Sequence, residues 1–213
     1  ESLLQRIKFP YTIGYGMTEC GPLICYASSA SFKKGTCGRH VDRMTVKIDS
    51  DNPTSIVGEI MVKGMNVMCG YYKNETASRE ALGADGWMHT GDMGVMDATG
   101  NLTIRGRCKN MLLGPNGQNI YPEEIEDRMN SLPFVAESIV TQQEGKLVAL
   151  VHPDYNETMA QGLTSTDVVR IMEDNRNTLN LMIPKYSQIA SVKIYPEEFE
   201  KTPKRSIKRY IYT

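Results

Sequence analysis

The sequence has no Cys-x-x-Cys pair, only three histidines, one tryptophan, and no apolar run near the length that crosses a bilayer. Each absence excludes something. The five cysteines, at positions 20, 25, 37, 69 and 108, are odd in number and lack metal-ligand spacing. A zinc site or a secreted disulfide framework therefore fits poorly, and free thiols in a reducing cytoplasm are the simpler expectation. A membrane-spanning helix needs roughly 20 apolar residues, and the start carries no signal-peptide pattern. Peripheral membrane contact is compatible with a lipid substrate, though no segment encodes it. The net charge of −1 leaves no basic surplus for holding nucleic acid by phosphate neutralisation. Internal repeats and low-complexity tracts are missing. The first residue is Glu1 rather than Met, and the opening runs straight into a motif, as expected for a piece of a longer polypeptide.

What is present reads as a globular chain, with 40% apolar and 23% charged residues among 213. Residues 1 to about 34 hold a strand, a loop and a short apolar segment. Strands are expected at 44–48, 58–64 and 101–107, with a hairpin turn at Asp97-Ala98-Thr99-Gly100-Asn101. Beyond Arg107 the pattern turns helical. Pro122-Glu123-Glu124 suits a helix start, Ile125, Met129 and Leu132 give one stripe, and Pro133 ends it. Two strands follow, at 136–142 and 146–152. A second helix opens at the capping residues Thr164 to Asp167, carries Val168, Val169, Ile171, Met172 and Leu179, and stops at Pro184. A strand at 189–195 precedes a basic tail. The expected fold is α+β: a β-rich part over 1–108 and a compact α+β domain over 109–213.

Four segments carry candidate chemistry. GYGMTECGPL (14–23) reads either as a glycine loop with unusual backbone angles or as a nucleotide loop. In the second case Tyr15 stacks on a purine, Thr18 bonds phosphate and Glu19 offers oxygen to magnesium. GEIMVKGMNVMCGYYKNETAS (58–78) reads as strand and turn serving packing. In GWMHTGDMG (86–94), Asp92 is either a turn residue or a carboxylate accepting from a vicinal diol such as ribose. His89 reads as structural. In IRGRCKNMLLGPNGQNIYPEEIE (104–126), Arg107 ends a strand, Lys109 stands where the β-rich text stops, and Gly117 lies in a loop before the helix.

In this order and spacing the four segments resemble the adenylate-forming superfamily, and GQNIYPEEIE with VMCGYY upstream looks most like its long-chain fatty-acyl-CoA synthetase branch. The resemblance implies an AMP-forming ligase that converts a fatty acid with ATP and Mg2+ to acyl-AMP and then passes the acyl group to coenzyme A. It implies a large-domain remnant followed by a carboxy-terminal lid. By carry-over, Tyr15, Gly16, Met17, Thr18, Asp92, Ile104 and Arg107 bind nucleotide. Glu19 assists catalysis and magnesium, Lys109 is the hinge, and Gly117 lets the pantetheine arm of coenzyme A approach.

Two departures accompany the resemblance. The family's phosphate loop would precede Gly14, so this piece alone is expected not to adenylate. The tail, EKTPKRSIKRYIYT, puts Ser206 where the family has a catalytic lysine. If the tail is extended, Lys204 and Lys208 flank Ser206 on the same side, each about 6–7 Å along the chain. Either could then bring the missing charge. Other readings stay open: a ligase for another carboxylic acid, or a non-catalytic nucleotide-binding relative.

Overall fold

The structure is a computed structural model that describes residues 2–203 and 205–212. The chain divides into two compact units, Glu1–Lys109 and Asn110–Thr213.

The first unit opens with a short helix α1 (Ser2–Arg6). A small antiparallel sheet follows, made of β1 (Tyr15–Gly16), β2 (Leu23–Tyr26) and β3 (Arg39–His40). A second sheet runs in sequence order through β4 (Met44–Asp49), β5 (Gly58–Gly64), β6 (Met88–Met96) and β7 (Leu102–Arg107), all antiparallel. Alternation makes the core: Met44, Val46 and Ile48 point inward from β4, against Ile60 and Val62 of β5 and Met88 of β6. The β6–β7 hairpin turns where expected. There Asp97 Oδ1 accepts from the amides of Thr99 and Asn101, both at 2.9 Å.

Between β5 and β6 lies a helix that the strand-and-turn reading missed, α2 (Glu75–Ala81), capped by Asn74, whose side chain accepts from the Ala77 amide at 3.1 Å. Asp92 is also placed differently. It sits in the middle of the nine-residue strand β6, not in a tight turn.

The second unit begins with the ladder β8 (Leu112–Leu113) and β9 (Asn119–Ile120). Helix α3 (Pro122–Met129) and the hairpin β10 (Val135–Gln143) and β11 (Lys146–Pro153) follow. Then come α4 (Tyr155–Ala160), which was not anticipated, α5 (Ser165–Met182), and β12 (Ser191–Ile194) parallel to β11. Helices α3 and α5 cover one mixed sheet, ordered β10-β11-β12, through Ile125, Met129, Val168, Met172 and Leu179. The expected capping box at Thr164 and Asp167 is formed in both directions. Two stripe residues differ. Leu132 lies past the end of α3, and Val169 is 53% exposed, one position off the buried face of α5.

The tail corrects a further expectation. It does not run on as an extended strand. A tight turn returns it on itself: Arg205 N donates to Thr202 O at 2.8 Å, Arg205 is left-handed at φ 61°, and Lys201 bridges antiparallel to Ile207. The extended arrangement expected around Ser206 is therefore not the one formed, and Lys204 lies outside the described residues.

Candidate functional site

Three motifs far apart in sequence meet at one carboxylate. Asp92 pairs across the ladder with Arg107, and bulges interrupt the pairing of β6 on both sides of it. Bulges re-aim side chains at strand positions like this one. The Tyr15 hydroxyl donates to Asp92 Oδ2 at 2.6 Å, and Arg107 Nε lies 2.8 Å from Oδ1. The Asp92 side chain is 9% exposed whereas that of Arg107 is 58% exposed, so the guanidinium forms the solvent face of the group. Burial, and then the Asp92 charge, push the Tyr15 phenol far above its ordinary range. It stays protonated, and a protonated phenol is what donates to a carboxylate.

The sequence reading did not include the supports of this group. Thr90 is buried; its hydroxyl donates to Ile60 O at 2.7 Å and accepts from the Asp92 amide at 3.1 Å. Glu59 accepts from the Gly91 amide at 3.0 Å and lies 2.8 Å from His89 Nδ1. Gly91 has φ 71°, which suits glycine just before Asp92.

Other residues of the GYGMTE loop fall into separate roles. Tyr15 is a core residue, 8% exposed. Gly16 answers a demand of the chain itself, because a Cβ there would lie 2.1 Å from Pro22 O. Met17, partly buried, packs on the core of the first unit. Thr18 is exposed and starts a short 3-10 turn. Glu19, half-buried in that turn, accepts from the Tyr71 hydroxyl at 3.0 Å. Ile104 is exposed on β7.

Among the described residues no group of three or more His, Cys, Asp or Glu is arranged to hold a metal ion. A lone Glu19 still fits magnesium, which is commonly held by one or two carboxylates, with water and substrate phosphate completing the shell.

In the second unit, Gly117 stands at φ 79° with open space where a Cβ would be, in the loop between β8 and β9. The tail is fixed by charge. Arg209 pairs with buried Glu126 and lies 3.9 Å from Glu123, which accepts from Asn110 Nδ2 at 2.5 Å. Glu126 also accepts from the Val140 amide at 2.6 Å. Lys201 pairs with Glu137, and Lys208 Nζ lies 3.0 Å from Glu200. Ser206 is exposed. The tail is thus an ordered element rather than a loose end.

Comparison with known proteins adds two family matches: a model described as AMP-binding enzyme over residues 1–72, and one described as AMP-binding enzyme C-terminal domain over residues 110–212. The chain is 40% identical over 143 residues to a 2-succinylbenzoate–CoA ligase of Bacillus cytotoxicus, covering 65% of this chain and 29% of that protein. It is 29% identical to the long-chain-fatty-acid–CoA ligase FadD15 of Mycobacterium bovis, covering 93% of this chain and 35% of that protein. Among solved structures, O-succinylbenzoate coenzyme A synthetase of Bacillus subtilis with AMP superposes with a TM-score of 0.81 at 26% identity, over 99% of this chain and 42% of that one. The same enzyme has been solved with ATP and magnesium ion. The chain thus spans about a third of the length of these curated relatives. No described helix is long and apolar enough to cross a membrane.

Proposed function

We propose that this chain, which belongs to the AMP-binding enzyme family, is the carboxy-terminal portion of an AMP-forming ligase that joins a carboxylic acid to coenzyme A. The observation that carries the reading is the convergence of Tyr15 and Arg107 on Asp92. A buried carboxylate held between a phenol and a guanidinium is preset to accept from ribose hydroxyls, since a carboxylate has about four acceptor sites. Arg107 supplies a second polar contact at the open side. Glu19 would hold magnesium, which when bound neutralises phosphate charge, and Thr18 would bond phosphate. Lys109, last residue of the first unit, would serve as the pivot between half-reactions, and Gly117 would admit the pantetheine arm.

For the acid, the reading moves away from the long-chain branch expected from GQNIYPEEIE. Higher identity to ligases of 2-succinylbenzoate favours an acid of that kind. Long-chain fatty acids remain the second reading, favoured by the extent of the similarity to the mycobacterial ligase. In the tail, Lys208 is the cation we assign to the α-phosphate, released from Glu200 when substrate arrives.

The test is ATP–pyrophosphate exchange by the full-length gene product with 2-succinylbenzoate, benzoate, palmitate, octanoate, acetate and no acid. Exchange with 2-succinylbenzoate is expected. Exchange with palmitate alone would favour the second reading, and none with any acid would remove the ligase reading. Lys208→Ala should lower exchange about 10²-fold if it supplies the charge. An unchanged rate removes it from the mechanism.

A further inference from the structure

We infer that Tyr71 is a positioning residue for Glu19, an inference that rests on the ligase reading above. The segment after β5, read from sequence as packing, clasps the GYGMTE loop at three separate points. Asn66 Nδ2 donates to Cys20 O at 2.6 Å and lies 3.3 Å from Leu23 O. The Met68 amide donates to Glu19 O at 2.8 Å. Tyr71 then reaches the Glu19 side chain, its hydroxyl donating to Oε1 at 3.0 Å. The first two contacts fix the backbone of the loop, whereas among the described residues Tyr71 is the one that holds the carboxylate itself.

Packing does not account for the placement of that ring. Tyr71 is 40% exposed and lines an open depression of about 580 Å³ with Cys69, Tyr72 and Lys73. A donor on one carboxylate oxygen leaves the other to face a cation. It also limits rotation of a side chain that otherwise loses rotamer entropy on binding. Partners of this type behind a metal ligand are typically worth about 10–100-fold in metal affinity.

The test uses the full-length protein with MgCl2 and α,β-methylene-ATP in titration calorimetry. Tyr71→Phe keeps the ring and should weaken Mg2+-dependent nucleotide binding about tenfold. Nucleotide binding without Mg2+ should be unchanged, since Tyr15, Asp92 and Arg107 are untouched. In a Glu19→Gln background Tyr71→Phe should have no further effect. Asn66→Ala, which loosens the loop without touching the carboxylate, should lower the melting temperature and leave Mg2+ affinity in place. The inference is overturned by full Mg2+ affinity in Tyr71→Phe, by an equal loss in the Glu19→Gln background, by an equal loss in Asn66→Ala, or by failure of Tyr71→Phe to fold. Absence of Mg2+-dependent nucleotide binding in the wild type would instead sink the ligase reading itself.

Discussion

Replacing Arg209 with alanine should loosen the second unit and leave the first alone. Arg209 is 17% exposed at its side chain and Glu126 is 10% exposed. Removing one partner of a buried pair costs about 3–5 kcal/mol because the other charge is left stranded. The lower end applies here. Glu126 keeps its bond from the Val140 amide and can take up a proton. For a domain near 100 residues, about 3 kcal/mol lowers the melting temperature by roughly 15 °C. The chain supplies its own control, because its one tryptophan, Trp87, lies in the first unit. Circular dichroism at helical wavelengths should show the α5 transition moving down while the Trp87 fluorescence transition stays put. The pH dependence has a definite sign. Burial raises the Glu126 pKa above its ordinary 4.5, outweighing Arg209 and Val140, which lower it. Its contribution is therefore fullest below 4.5 and is lost as pH rises through the folded value. Without Arg209 that folded value climbs further, so the penalty of Arg209→Ala should grow as pH rises above 4.5. Glu126→Gln keeps an acceptor for Val140 and should recover much of the loss in the double variant. A shift worth less than about 1 kcal/mol, typical of an exposed pair, or an equal shift of the Trp87 transition, would refute the reasoning.

The thiols should react in a fixed order. Burial pushes Cys20 up to about 11 and Cys25 up to about 12, so both are protonated near neutral pH. Iodoacetamide followed by peptide mass spectrometry should find exposed Cys69 labelled first, with Cys20 and Cys25 labelled only on unfolding. Early labelling of either buried thiol would contradict the packing described. Two glycines should separate backbone strain from crowding. Gly117→Ala meets open space but a left-handed backbone, and should cost about 1–2 kcal/mol, with Gly117→Asn costing less. Gly16→Ala would drive a Cβ into Pro22 O and should cost more, read as a lower Trp87 melting transition.

Much of this architecture could be read from the sequence where local rules dominate. Helix α5 has its cap written in Thr164 and Asp167, and the turn at Asp97 to Asn101 is fixed by residues within four positions of one another. Helices α2 and α4 were overlooked because seven and six residues are too short to show a stripe, although Asn74 and Asp154 cap them. Strand β6 was obscured differently. Its inward positions are Met88, Thr90, Asp92 and Gly94, so the buried face holds polar and small residues and the usual alternation vanishes. The tail depended on Arg209 finding Glu126, 83 positions away, which no local pattern encodes. Of the site, Asp92 and Arg107 were readable as a pair, while Thr90, Glu59 and Tyr71 act through distant partners.

The Tyr15–Asp92–Arg107 group has a consequence for the timing of entropy loss. Immobilising a side chain at a binding surface costs about 0.5–1.5 kcal/mol at the moment of association. Here Tyr15 and Asp92 are fixed by the protein core and by each other, with no contact to a ligand needed to hold them. Their freedom is surrendered when the chain folds, and a nucleotide arriving later finds it already gone. Of the three, exposed Arg107 alone retains mobility to lose. Binding at this group should therefore be governed more by how fast a ligand leaves than by any slow rearrangement on arrival.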